Sequence, residues 1–254
     1  MSEKNPQVRF KQEQLLLQHA LTEDKLPEAE KHIIMSLFEA SYAEEAVMTR
    51  TIHELASHPE ESLPGILHVI NNPYKLCWEV AFRVLQEMGY PQNESALTRV
   101  ILLTAEPHAF PGYNEAMRVL QSIQPHDLAP YLIQVLWDRG QDIHSWSEVV
   151  GRTCLTVQEL GHGYVRLCGP VIAYLLGQES IVHRELMLST FEILSPQERV
   201  YLLPMLIELL SKEGVSHLVR NQARTLMASF PQAMIQPYAR VLPPSQKGAE
   251  GSEK

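Results

Sequence analysis

Apolar residues recur at helical spacing along most of this chain, in two alternating kinds of segment. The first kind has apolar residues two, five and six positions after a proline or threonine, as in SLPGILHVI (62–70), LAPYLIQVL (128–136) and LLPMLIELL (202–210). The second kind includes VLQEMG (84–89) and VLQSIQ (119–124), where an apolar residue follows a leucine three positions later. Spacings of three and four residues place such positions on one helix face, so both kinds are predicted to be amphipathic helices.

Further segments of the second kind are TVQELG (156–161), TFEILS (190–195) and TLMASF (225–230). The five segments begin 35, 37, 34 and 35 residues apart, so each unit is predicted to be a helical hairpin of about 33 to 37 residues. A hairpin cannot bury its apolar faces alone, and successive units must therefore stack. The prolines are expected in the first helical turn, where a missing N–H costs nothing. The sequence predicts one repeat domain over 1–242, with a disordered tail over 243–254. Its parts are a leading helix at about 8–21, hairpins at about 27–58, 62–90, 96–124, 128–161, 168–195 and 202–230, and a half repeat at 235–242.

One helical segment carries a family resemblance. WEVAFRVLQEMG (78–89) is similar to the second helix of HEAT-like repeats, with an apolar run, an internal arginine and a closing glycine. The proline-bearing helices resemble the partner helix of such repeats, and the resemblance covers roughly 27–242. It implies an all-α fold of the armadillo type: a right-handed α-solenoid, or superhelix, of about six HEAT-like helical hairpins. In such a fold the second helices line a concave surface.

Charge and composition narrow the functional classes. The formal net charge is −9, from 21 Lys plus Arg against 30 Asp plus Glu, and no lysine or arginine run exceeds two residues. Nucleic-acid binding relies on clustered cations, so the balance argues against it. The polar amino terminus has no secretory h-region, and no apolar run approaches the roughly 18 residues of a membrane span. Three cysteines fit a reducing compartment, and a cytoplasmic location is expected.

The segment CLTVQELGHGYVRLC (154–168) raises the question of a metal site. It contains Cys154, His162 and Cys168, and His144 lies ten residues upstream. Both cysteines align with positions that are apolar in the other repeats, and no closely spaced cysteine pair of the zinc-site type is present. They are therefore interpreted as core residues, and the GHG triplet as a helix end and turn.

Other motifs of enzyme chemistry are also missing from the sequence. HELASH (53–58) has one residue too many for the zinc-protease motif, because its two histidines are five positions apart. Neither a phosphate-binding glycine loop nor a G-x-S-x-G elbow occurs. No catalytic residue, metal ligand or cofactor is therefore predicted.

An insertion at 136–148 departs from the repeat pattern. In the other units the second-kind segment begins 20 or 21 residues after the proline or threonine of the first-kind segment. In this unit it begins at Thr156, which is 26 residues after Pro130. Insertions in repeat proteins often form binding loops, and tryptophan and arginine are frequent in binding hot spots. The alternative is that the tryptophans pack the longer turn against the helices. The candidate partner-binding residues here are Trp137, Asp138, Arg139, His144 and Trp146.

A polar stripe runs along the second helices. By the resemblance it would face the concave groove and could hold a peptide or an acidic partner. The alternative is a solubilising surface, in which Arg83 pairs with Glu79 and Glu87 of its own helix. The candidate residues of this stripe are Arg83, Gln86, Arg118, Gln121, Gln158 and Arg224.

These observations favour a non-catalytic scaffold or adaptor that binds another protein or peptide through the groove, the insertion or both. Two alternatives stay open. One is a HEAT-fold enzyme, either DNA glycosylase-like with a basic groove or a protein-modifying lyase or hydroxylase. The other is an immunity or regulatory protein that neutralises a single partner enzyme. The oligomeric state is left open by the sequence.

Overall fold

All regular structure in the described part of the chain is helical, which confirms the all-α prediction. The computed structural model describes residues 6–72, 74, 77–105, 112–141, 147–178 and 184–238. The α-helices are α1 (Pro6–Glu23), α2 (Glu28–Ser41), α3 (Glu45–Ser57), α4 (Pro59–Asn71), α5 (Trp78–Met88), α6 (Leu97–Thr104), α7 (Tyr113–Gln121), α8 (Pro125–Gln141), α9 (Ser147–Leu160), α10 (His162–Leu176), α11 (Arg184–Thr190), α12 (Leu203–Ser211), α13 (His217–Ala228) and α14 (Gln232–Ile235).

Helices α1 to α7 belong to one compact unit, which comprises Met1–Thr104 and His108–Gln124. Within it α2, α4 and α6 pack in succession, and α3, α5 and α7 form a second succession. Neighbouring helices along the chain, such as α2 and α3, also contact each other. Helix α1 packs on α2 through Phe10, whose ring centroid lies 5.4 Å from that of Phe38 and 5.2 Å from that of Tyr42.

Helices α8 to α14 belong to the other compact unit, which contains Pro125–Lys254. Here α8 packs on α10, and α10 contacts a short 3-10 helix, Val200–Leu202, that precedes α12. In the other succession α9 packs on α11 and α11 on α13. The pairs α8 with α9, α10 with α11, and α12 with α13 are in direct contact. Within each unit the helices therefore pack in two successions that contact each other.

The apolar columns read from the repeats form the cores of these units. Every described residue two, five or six positions after the proline position is buried, and each such aliphatic side chain stabilises the fold by about 1.5–3 kcal/mol. On the second helices Leu160 is only half-buried. The predicted core residues that are buried are Ile66, Val69, Ile70, Val100, Leu103, Thr104, Leu132, Val135, Leu136, Ile172, Leu175, Leu176, Leu206, Leu209, Leu210, Leu85, Leu120, Val157, Phe191, Leu226, Met88, Ile123 and Leu194.

The prolines occupy a different place from the predicted one. Only Pro204 lies in a first turn, as the second residue of α12. Pro64 and Pro130 are the sixth residues of α4 and α8, and Pro170 is the ninth residue of α10. All four are exposed. The helix carbonyls that Pro64, Pro130 and Pro170 leave without a donor therefore lie on the solvent side, where water can bind them.

Two predicted helices are shorter than expected. In the predicted hairpin at 168–195, α11 ends at Thr190. A 3-10 helix follows over Phe191–Ile193, and the backbone is extended at Leu194. The half repeat at 235–242 contains the end of α14 and the 3-10 helix Gln236–Tyr238. Its remainder and the predicted tail over 243–254 lie outside the described residues.

Side chains near the start of three second helices bind the end of the helix before them. Arg184 donates from Nε to the carbonyl of Leu176 at 3.1 Å and from Nη2 to that of Gln178 at 2.7 Å. Trp78 and Arg220 make equivalent bonds, at 3.0 and 2.8 Å, to the ends of α4 and α12. The last carbonyls of a helix have no partner within it, so these bonds satisfy them and join the two helices of a hairpin.

Candidate functional site

Arg83, on α5, is engaged by an acid from a neighbouring helix. Its Nη2 donates to Oε1 of Glu45, on α3, at 2.7 Å. The predicted pairing within its own helix is therefore wrong as a hydrogen-bonding scheme: Glu79 adds only a longer-range attraction, and Glu87 shares a hydrogen bond of 2.8 Å with His53. The bond to Glu45 raises the pKa of Arg83 and lowers that of Glu45. Arg83 thus bridges two helices inside the first unit.

The other residues of the polar stripe are on the surface of their own units. Gln86, Arg118 and Gln121 are exposed on the adjacent helices α5 and α7. Nη1 of Arg118 lies 3.6 Å from Oε1 of Glu115, one turn earlier. In the second unit Gln158 is half-buried, and the exposed Arg224 donates to the side chain of Asn221 at 3.3 Å. These contacts are typical of a solvated helix surface.

The three cysteines are free and buried, which confirms the assignment of Cys154 and Cys168 as core residues. Cys77 is 1% exposed, and Cys154 and Cys168 have no exposed surface. Burial raises the pKa of Cys77 and of Cys168 to about 12, and it raises that of Cys154 as well. Their thiols are therefore poor nucleophiles in the folded chain. Among the described residues, no group of three or more His, Cys, Asp or Glu side chains is placed to hold a metal ion.

Trp137 of the insertion stacks on Tyr174. The tryptophan lies on α8 and the tyrosine on α10, with ring centroids 5.4 Å apart and planes inclined by 24°. Both side chains remain open to solvent, with 45% of Trp137 and 49% of Tyr174 exposed. Trp137 is thus partly packed and partly exposed, a combination of the two predicted alternatives. The pair presents a broad aromatic surface whose conformation is already restricted.

A close approach of α8 and α10 brings the two rings together. Gly140 lies almost one turn after Trp137, and a Cβ atom at this position would clash with the buried side chain of Leu175. Glycine lets the two helices come together here, and it sets the distance across which Trp137 meets Tyr174.

The helices that carry the aromatic pair expose apolar residues on α10 and charged residues on α8. On α10, Leu167 is 42% exposed two turns before Tyr174, and Pro170 between them is also exposed. On α8, Asp138 is exposed and Arg139 is half-buried. Of the remaining candidates in the insertion, His144 and Trp146 lie outside the described residues.

Sequence reasoning missed Tyr174, although a signal was present. Tyr174 lies four positions after the proline position, where the other repeats have His68, Leu102, Gln134 and Glu208. None of those four residues is buried. Most of the residues aligned with Tyr174 are polar, and this is visible in the sequence alone. The tyrosine could therefore have been recognised from the repeat alignment as a surface aromatic residue.

Ser195, Glu198 and His162 form a hydrogen-bonded cluster with a structural role. Ser195 donates from its backbone N at 3.0 Å and from Oγ at 2.8 Å to Glu198, and His162 Nε2 lies 3.0 Å from the same carboxylate. The carboxylate stands between the serine and the histidine, so the imidazole is not placed to activate the hydroxyl. The Ser-x-x-Glu spacing and the reciprocal bonds are those of a capping box.

No protein-family model matches this chain, and no curated protein matches it with a significant score. None of the helices that the structure describes has the length and apolar character needed to cross a bilayer.

Proposed function

We propose that this chain is a HEAT-like repeat protein that binds another protein or a peptide, with Trp137 and Tyr174 at the centre of the binding surface. Two observations support the repeat assignment. The apolar columns are buried in one predicted hairpin after another. Within each compact unit, the first helices of the hairpins pack in one succession and the second helices in another. Repeat proteins of this kind use extended surfaces for recognition.

The single observation that carries the binding proposal is the exposed, stacked aromatic pair. Tryptophan and tyrosine are over-represented in binding hot spots, because a rigid ring buries a large area with little loss of conformational entropy. Trp137 and Tyr174 are already stacked on each other, so a partner that covers them loses little more entropy in ordering them. Exposed Leu167 extends this apolar surface along α10.

A photo-crosslinking amino acid at position 174 tests the proposal in cells, with the same group at the exposed position 218 of α13 as the matched control. We expect a protein crosslinked from position 174 and not from position 218. The partner is then purified, and its affinity is measured for wild type, for Trp137→Ala combined with Tyr174→Ala, and for Leu218→Ala.

Loss of both rings is expected to weaken binding by tenfold or more, on the order of the cost of truncating hot-spot residues. Leu218→Ala should bind like wild type, and circular dichroism should show that all three proteins are folded. Equal affinities for wild type and the double variant would contradict the proposal. If the partner is an enzyme that loses activity in the complex, the role is the regulatory one.

A further inference from the structure

A second surface with a different chemistry lies in the first unit. A cleft of about 600 Å³ runs between α2 and α3 and reaches the first turn of α4. Its apolar lining includes Ile33, Val47 and Leu55. Val47 is an aliphatic residue that is 50% exposed, so the cleft has apolar surface that none of the described residues of this unit covers.

Acidic side chains line the same cleft. Glu39, Glu54 and Glu61 border it and are exposed. The basic residues of the described chain that border it are two histidines, His32 and His58, and neither a lysine nor an arginine is among them. The stretch 28–61 contains eight glutamates but only one lysine and one arginine, so six of the nine net negative charges of the chain lie there. The field over the cleft is therefore negative and favours a cationic occupant.

The length of the cleft defines the shape of that occupant. Its walls are residues 32–43, mostly on α2, and residues 47–58, mostly on α3. Twelve residues of helix are about 18 Å long, which corresponds to an occupant of about three helical turns. The lining is mixed, with apolar residues among polar ones. A groove of this kind between two helices accepts an amphipathic helix, which places its apolar face on the apolar residues and its polar face on the others.

We propose that the α2–α3 cleft binds a basic amphipathic helix of a partner protein. The apolar face of that helix would pack on the partly exposed Ile33 and on Val47, and its flanking lysines or arginines would pair with Glu39, Glu54 and Glu61. This site does not depend on the Trp137 surface, since its residues all lie between positions 32 and 62 of the first unit.

A labelled synthetic peptide of about twelve residues tests the proposal, with leucine and alanine on one helical face and lysines on its flanks. A peptide of the same composition with scrambled order is the control for charge alone. Fluorescence anisotropy against the full-length chain should show saturable binding of the amphipathic peptide. The scrambled peptide should bind at least about fivefold more weakly.

Two pairs of variants locate the site. Glu54→Gln with Glu61→Gln removes two charges that border the cleft. Glu44→Gln with Glu60→Gln removes two exposed glutamates that do not border it, one just before α3 and one in the first turn of α4. The net charge becomes −7 in both. We expect about fivefold weaker binding for the first pair and little change for the second. Val47→Ser should also weaken binding, whereas Val8→Ser, at a similarly exposed valine on α1, should not.

The proposal is overturned by any of three results: no saturable binding, equal binding of the scrambled peptide, or equal weakening by the two glutamine pairs. A second copy of the chain is the competing occupant. Sedimentation that shows a dimer dissociated by Glu54→Gln with Glu61→Gln would overturn the proposal in favour of that occupant.

Discussion

Tyr201 and Gly169 show how closely single residues are fitted in the second unit. A Cβ atom at Gly169, on α10, would clash with the hydroxyl of Tyr201. That hydroxyl is buried and has no hydrogen-bond partner among the described residues. Burial raises the pKa of Tyr201 to about 12, so the group is neutral at physiological pH. The hydroxyl thus occupies space that only glycine leaves open, without a bond to hold it there.

Gly169→Ala should therefore destabilise the chain by about 1–3 kcal/mol, the usual range for an overpacked core. Tyr201→Phe should be close to neutral, because it removes an unpaired polar group and breaks no hydrogen bond. The double variant should recover most of the loss, since the clashing atom is absent. Urea unfolding of the four proteins measures this, and simple additivity of the two single effects would rule the explanation out.

At the level of elements, a single carboxylate connects the start of α10 with the turn before α12. Hydrogen bonds from His162 and from the side chain and backbone of Ser195 lower the pKa of Glu198 to about 2, from an ordinary value of 4.5. A carboxyl group with a depressed native pKa stabilises the fold above its unfolded pKa. This contribution is lost as the pH falls toward the native pKa.

Between about pH 4.5 and about pH 2, the free energy of unfolding should consequently fall more steeply in wild type than in Glu198→Gln, which cannot ionise. Glu208→Gln, at an exposed position of α12, is the matched control and should follow the wild-type slope. Urea titrations followed by far-ultraviolet circular dichroism give both slopes. Parallel curves for wild type and Glu198→Gln would mean that the capping carboxylate contributes nothing to acid stability.

At the level of the whole molecule, the free cysteines report on both compact units. Cys77 belongs to the first unit, and Cys154 and Cys168 belong to the second. All three thiols are buried, so a reagent reaches them only after the surrounding helices open.

In the native chain, the three thiols should react with a disulfide reagent on the order of a hundredfold or more slowly than in urea, because opening limits the reaction. Ser95→Cys supplies an exposed thiol as a positive control and should react at once. Mass spectrometry after timed labelling assigns the rates to each cysteine. A native cysteine that reacts as fast as position 95 would show that its helix is not packed as described.

Much of the helical structure follows from the sequence, because helical periodicity and apolar character are local properties. The same apolar spacing also recurs in several aligned segments. The column that contains Ile66, Leu132 and Leu206 is apolar in the aligned segments, which predicts that these residues are buried, and they are. Cys154 and Cys168 can be assigned to the core because the equivalent residues of other repeats are apolar. Gly161, with φ of 106°, marks the end of α9 and the start of α10, as its place in the GHG triplet predicts.

Tertiary packing alone decided which side chains meet. The choice of Glu45 as the partner of Arg83, 38 residues away, depends on the distance between α3 and α5. The stacking of Trp137 on Tyr174 depends on how closely α8 approaches α10 at Gly140. The cleft lined by Val47 and Glu54 depends on how α2, α3 and the start of α4 pack on one another. Sequence spacing determines which face of a helix a residue occupies, whereas the distance between two faces is set by the side chains packed between them.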